Sequence, residues 1–93
     1  MNRLDGKIAV ITGGTQGLGA AIALNFAKAG AAGLVVCGRT AAKGEAVAQR
    51  ILKDTGVKTV FVAADLNSVD DCRNVIAQAD KAFGRIDVLV NAA

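Results

Sequence analysis

The sequence predicts an α/β fold, a doubly wound parallel sheet with helices on both faces. Three observations carry that prediction. Short apolar runs of strand length recur at residues 8–11, 34–37, 59–63 and 88–90. Each pair of runs is separated by a segment with apolar residues three and four positions apart. Nineteen of the 93 residues are Ala and none is Pro, which suits helices lying close against a sheet. Alternation of this kind implies parallel strands joined by right-handed crossovers.

The elements follow in order. Ile8 to Ile11 is β-branched at three of four positions and has no polar face, so both sides must be buried. A glycine-rich turn spans residues 12–19. Leu18, Ile22 and Phe26 then recur at four-residue spacing as one face of a helix, with Gly30 as its stop. Residues 34–37 form the second buried strand. Thr40 is placed to cap the next helix, in which Val47 and Ile51 fall four apart beside Ala48 and Leu52, and Gly56 closes it. Residues 59–63 make the third strand. Ser68 with Asp71 three residues on reads as a cap with an acidic first turn. Cys72, Val75, Ile76, Ala79 and Phe83 give the third helix its apolar stripe, and Gly84 ends it. Residues 88–90 are a fourth strand. The order is β-α-β-α-β-α-β, and the doubly wound arrangement predicts the strand order 3-2-1-4. The fourth strand is too apolar for a solvent edge, so a longer domain or a partner chain is expected to cover it.

Composition narrows the function. Ninety-three residues make one domain at most. Hydrophobic residues at 53% and charged residues at 20% exclude intrinsic disorder. Three Phe without Trp or Tyr are too few for a base-stacking platform, and no His removes imidazole as ligand or base. The net charge of +3 comes from scattered residues, which gives a solvated surface rather than a nucleic-acid or membrane patch. Cys37 and Cys72 form neither a disulfide framework nor a CxxC site, so reduced thiols in a cytoplasmic protein are expected. Asp5 interrupts the basic start, and Gly13, Gly14, Gly17 and Gly19 break the uncharged stretch from 8 to 27, so neither a targeting segment nor a membrane span is read.

The strongest chemical signal is Thr12-Gly13-Gly14-Thr15-Gln16-Gly17-Leu18-Gly19, between a strand and a helix. Amide groups at a helix start have no intrahelical partners, the helix dipole makes that end positive, and glycine lets backbone approach a ligand. Together they suit a pyrophosphate. A P-loop would need Gly-Lys-Ser/Thr, but Ala20 follows Gly19; the spacing Gly13, Gly17, Gly19 is also not GxGxxG. A tight glycine turn without a ligand is the plainer alternative. About 20 residues on, dinucleotide folds place a carboxylate for the adenosine ribose. Here that region reads Cys37-Gly38-Arg39-Thr40, with no acid. The Arg39 guanidinium suits a 2′-phosphate, which favours NADP(H) over NAD(H); a solvated helix-start arginine is the alternative. Asp65 and Leu66, after the third strand, fall where an adenine would lie, although an ordinary loop carboxylate is nearly as good a reading. Asn91-Ala92-Ala93 follows the fourth strand, where small residues would let a ribose lie against the backbone.

With these motifs in order, the chain resembles the N-terminal part of a short-chain dehydrogenase/reductase with a Rossmann-like sheet. The resemblance rests on residues 12–19, Arg39, Asp65-Leu66 and residues 87–93 and covers the whole chain. It implies that Thr12, Gly13, Gly17 and Gly19 form the coenzyme loop with Thr15, Gln16 and Leu18. It implies further that Arg39 and Thr40 hold the 2′-phosphate, Asp65 and Leu66 line the adenine, and Asn91 and Ala92 border the adenosine ribose. Two departures stand out. Many NADP-preferring members carry a basic residue where this chain has Gln16, and the glycine that follows Asn-Ala-Ala in the family is absent. The family's catalytic Ser, Tyr and Lys lie beyond the fourth strand, and this chain has no Tyr. The expectation is therefore an incomplete domain of residues 1–93 that holds coenzyme but neither a catalytic residue nor a metal. The parent would move hydride between nicotinamide and a carbonyl or alcohol substrate as a homo-oligomer. The competing readings are a nonenzymatic dinucleotide-binding or regulatory module, and a methyltransferase or nucleic-acid binder. An acid at the second strand end or clustered basic residues would favour the latter pair, and neither occurs.

Overall fold

The structure is a computed structural model that describes residues 4–15 and 17–92. Its elements are β1 (Ile8–Thr12), α1 (Gly17–Lys28), β2 (Gly33–Gly38), α2 (Ala41–Thr55), β3 (Lys58–Ala63), α3 (Val69–Phe83) and β4 (Val88–Asn91). The four strands form one parallel sheet in the order β3-β2-β1-β4, as the alternation predicted. The register sets Val10 opposite Val35 and Leu89, and Thr12 opposite Cys37 and Asn91. The carboxyl ends of the strands thus finish along one edge.

The all-apolar strands are central because only there are both faces covered. Every residue of β1 is buried, and so is β2 up to Cys37. On one face, Ala9, Ile11, Leu34 and Val36 meet Ala23 and Ala27 of α1 and Ile51 of α2. On the other, Val10, Val35, Cys37 and Val62 meet Val75 and Ala79 of α3. The glycine stops also hold. Gly56 and Gly84 adopt left-handed φ of 77° and 79° and donate their amides to Leu52 and Asp80. That conformation costs L-residues about 1–2 kcal/mol, which glycine avoids.

The helix faces differ from the expectation in one instructive place. In α1 the buried residues are Gly19, Ala23 and Ala27, one position along from the predicted stripe. Ile22 and Phe26 flank this small-residue stripe, and Leu18 is 72% exposed. No charge occurs in α1 before Lys28, so hydrophobicity alone could not orient it. Close approach to the sheet selects the small side chains instead. In α2 and α3 likewise, Leu52 and Ile76 are exposed, at the margins of the stripes.

Strand β4 pairs only with β1 among the described residues. Val88 and Val90 pack against the α1–α2 face, whereas Leu89 on the opposite side is 65% exposed. Its entry is fixed by Asp87, whose carboxylate accepts from the Ile8 amide at 2.8 Å and from Arg85 Nε at 2.9 Å. Arg85 also donates to the Gly6 carbonyl. Among the described residues, no helix is long and apolar enough to cross a membrane, and no cluster of three metal-ligating side chains forms.

Candidate functional site

A cleft of about 780 Å³ opens at the carboxyl ends of β1, β2 and β3. Open α/β sheets bind ligands at this place, where neighbouring crossovers leave on opposite faces. Here α1 and α2 lie on one face and α3 on the other, which parts the loops and leaves the crevice.

The first wall is the glycine turn and the start of α1. Gly13, Thr15, Gly17, Leu18 and Gly19 line it. Gly13 has φ of 72°, and its amide is held by the Cys37 carbonyl at 2.9 Å. Gly17 has φ of 56°, and a Cβ there would project into open space. Gly19 is different. A Cβ on it would sit 1.9 Å from the Gly13 carbonyl oxygen, so its smallness lets α1 rest on its own loop rather than admit a ligand. Gln16, named in the sequence motif, lies outside the described residues.

The second wall is the end of β2. Cys37, Gly38, Arg39 and Thr40 line it. Arg39 is exposed and has no hydrogen bond or ion pair to any described residue. Thr40 occupies the N-cap position of α2, but its side chain makes no capping bond. The cap expected from the sequence is therefore positional only, and Thr40 itself lines the cleft. Cys37 is 1% exposed, and burial pushes its thiol up to about 11, with the nearby Cys72 adding to the shift. It is a protonated packing group rather than a nucleophile.

The third wall is the loop after β3, where Ala64, Asp65, Leu66 and Asn67 line the cleft. This loop is tied to the start of α3. The Asp71 carboxylate accepts from the Asp65 amide at 2.7 Å, and the Cys72 thiol donates to the Leu66 carbonyl at 3.5 Å. Asp65 Oδ1 accepts from the Asn67 amide at 2.9 Å, an Asx turn. Ser68 caps α3 as predicted, accepting from the Asp71 amide at 3.2 Å.

Two predicted residues stand behind the cleft rather than in its lining. The Thr12 hydroxyl donates toward the Val90 carbonyl and the Asn91 Oδ1, at 3.2 and 3.0 Å. Thr12 and Asn91 thereby clamp β1 to β4, and the Ala92 amide, bonded to the Thr12 carbonyl, brings Ala92 to the cleft. Cys37, Gly38, Ala64 and Asn67 line the cleft without having been picked out as candidates. Asn67 carried a usable signal, the Asp-x-Asn of an Asx turn. The other three reach the cleft only through strand register.

The electrostatics are uneven. The first turns of α1 and α2 contain no acid, while that of α3 contains Asp70 and Asp71. The cleft is thus positive toward α1 and α2, where Arg39 adds a full charge, and compensated toward α3. It can hold a phosphorylated group at one end and a neutral polar ring at the other.

Comparison with known proteins agrees with this geometry. Residues 7–93 match the family model for short chain dehydrogenases. An uncharacterized oxidoreductase of Mycobacterium tuberculosis is 48% identical over 91 residues, which are 98% of this chain and 34% of that protein. Among solved structures, L-sorbose reductase from Gluconobacter frateurii, complexed with NADPH and L-sorbose, superposes with a TM-score of 0.93 at 36% identity. It covers 98% of this chain and 34% of its own. The Escherichia coli hydroxysteroid dehydrogenase gives 0.89 at 36%, covering 96% and 37%. The chain spans about a third of the length of these relatives.

Proposed function

The chain belongs to the short-chain dehydrogenase family, and from that premise we propose that it binds the adenosine half of a nicotinamide dinucleotide, NADP(H) in preference to NAD(H). The protein it serves is an oxidoreductase acting on a carbonyl or alcohol substrate. The single observation that carries the coenzyme preference is Arg39, exposed on the cleft wall without a partner among the described residues, beside Thr40, whose side chain makes no capping bond. A guanidinium there attracts a 2′-phosphate, and no carboxylate stands at the β2 end to take a ribose diol.

The residues present fit the group. Gly17, with open space at its Cβ position, leaves the turn free for a pyrophosphate against the start of α1. Asp65 and Leu66 offer an acceptor and an apolar surface for the adenine, and Ala92 leaves room for the ribose. The dinucleotide, when bound, supplies the hydride. This chain's residues bind and orient it, and none has the Tyr through which relatives of this family move the proton. The 93 residues are accordingly the coenzyme-binding part of an incomplete domain and have no turnover of their own. A cytoplasmic setting accords with the free thiols of Cys37 and Cys72. The remainder of the domain would cover the exposed Leu89 side of β4, and the parent protein would assemble as a homo-oligomer.

The test is Arg39→Ala, with NADPH and NADH titrated by coenzyme fluorescence. Loss of a charge-assisted contact should weaken NADPH by about 1.5–3 kcal/mol, roughly ten- to hundredfold, and NADH far less. Equal weakening of both would overturn the assignment of Arg39.

A further inference from the structure

Gly38 is the last residue of β2, within the stretch about 20 residues after the glycine turn where a dinucleotide fold that prefers the unphosphorylated coenzyme carries its ribose-binding acid. Its backbone is not in the left-handed region, so conformation does not require glycine there. Space does. A Cβ on Gly38 would lie 2.8 Å from Thr15 Oγ1, 3.0 Å from Thr15 Cγ2 and 3.5 Å from Thr15 Cβ. Thr15 is only 8% exposed. Its side chain has one torsion and two heavy atoms among three staggered positions, and both atoms already face Gly38. Rotation exchanges one for the other and cannot clear both. Thr15 can retreat only if the turn from Gly13 to Gly17 moves with it.

We propose that Thr15 is a specificity-determining residue, because its side chain fills the space that an acid at position 38 would need and so excludes the recognition of an unphosphorylated ribose. This rests on the functional reading above and deepens it. Arg39 attracts the phosphorylated coenzyme, and the Thr15–Gly38 contact bars the alternative. A substitution at position 38 alone cannot convert the site, since it displaces the loop that cradles the pyrophosphate. Thr15→Ala removes both blocking atoms and leaves a Cβ at 3.5 Å, an ordinary contact.

The experiment compares wild type, Gly38→Asp, Thr15→Ala and the double variant in the full chain, by fluorescence titration with NADPH and NADH and by thermal melts without coenzyme. Gly38→Asp is expected to bind both coenzymes at least about tenfold more weakly and to melt earlier, as overpacking against a buried side chain does. The double variant is expected to regain the melting temperature and to bind NADH more tightly than NADPH. Thr15→Ala supplies the remaining corner of the cycle. The proposal is overturned if Gly38→Asp melts like wild type, if it inverts the preference by itself, or if the double variant is no better than the single. A wild type that binds neither coenzyme removes the functional reading and this one together. A wild type that prefers NADPH, with melting temperatures that simply add, removes this one alone.

Discussion

Replacing Gly19 by Ala separates two opposite expectations. Gly19 is a helical residue without positive φ, so propensity alone says that Gly19→Ala stabilises α1 by about 1 kcal/mol. The contacts say the reverse. The added methyl would sit 1.9 Å from the Gly13 carbonyl oxygen, 2.6 Å from the Gly13 carbonyl carbon and 2.9 Å from Gly14 Cα. All three are backbone atoms, and the Gly13 amide is itself held by the Cys37 carbonyl, so no side chain can swing aside. To reach even 3.0 Å, the helix start and the turn must part by about 1 Å. Overpacking of a rigid contact costs about 3 kcal/mol at the upper end of its usual range, and subtracting the propensity gain leaves a net loss of about 2 kcal/mol. For a domain of this size that lowers the melting temperature by roughly 8–16 °C. Urea denaturation and a thermal melt measure it, and a coenzyme titration should show binding lost as the turn shifts. A Gly19→Ala protein as stable as wild type, or more so, would refute the seating of α1 on its own loop.

Other expectations are independent of that one. Asp71→Ala removes the acceptor that holds the Asp65 amide, so nucleotide affinity should fall by about 0.5–1.5 kcal/mol as the third wall loosens; a matched Asp70→Ala control, whose carboxylate accepts from no loop amide among the described residues, should bind normally. Asp87 has its carboxyl held below its ordinary value by the Ile8 amide and then by Arg85, so it stabilises the fold above pH 3.8, and that contribution is lost as pH falls through the lower folded value. The difference in melting temperature between wild type and Asp87→Asn should therefore shrink from pH 6 toward pH 2, and a difference that grows on acidification would contradict the sign. Cys37 is buried with its thiol raised to about 11, whereas Cys72 is partly exposed. A disulfide reagent at pH 8 should find at most one reactive thiol per native chain and two after unfolding.

Much of the fold was legible because its signals are local. The strands centre on short uncharged apolar runs, and the glycine stops at 56 and 84 adopt the left-handed conformation that makes glycine a stop. The glycine turn was legible for the same reason, since strand, turn and helix start are contiguous. What escaped depends on residues distant in sequence. The inward stripe of α1 lies one position from the expected one because large and small apolar residues neighbour each other along the helix, and only Asn25 and Lys28 mark its outer side. Thr12 reads as a loop residue until β4 lies beside it and supplies Val90 and Asn91 as acceptors. The missing acid at the end of β2 is visible in the sequence, but the reason that glycine replaces it is not: Thr15 and Gly38 meet only once the turn folds over the strand end.

The three crossovers of this sheet begin alike and are finished differently, and the difference explains why the cleft has polarity. Each helix start presents amides without intrahelical partners. In α3 the Asp71 amide donates to Ser68 and the first turn carries two acids, of which the Asp71 carboxylate accepts from the preceding loop. In α1 the turn offers glycine rather than an acid, and in α2 the cap residue makes no side-chain bond. Among the described residues, the first turns of α1 and α2 thus carry no acid, and Arg39 lines the same cleft as Gly17 and Thr40. An acid at the first turn of α1 or α2 would have steadied the isolated helix by about 0.3–1 kcal/mol. Its absence from both, beside an Arg39 guanidinium with no partner among the described residues, supports the proposed site for an anion with two phosphorylated positions. Placing an acid there should test the point directly: Ala41→Asp, at the first residue of α2, should raise or preserve the melting temperature while weakening NADPH more than NADH. A protein destabilised by that change, or one whose two coenzymes weaken together, would show that the start of α2 does not face the phosphate.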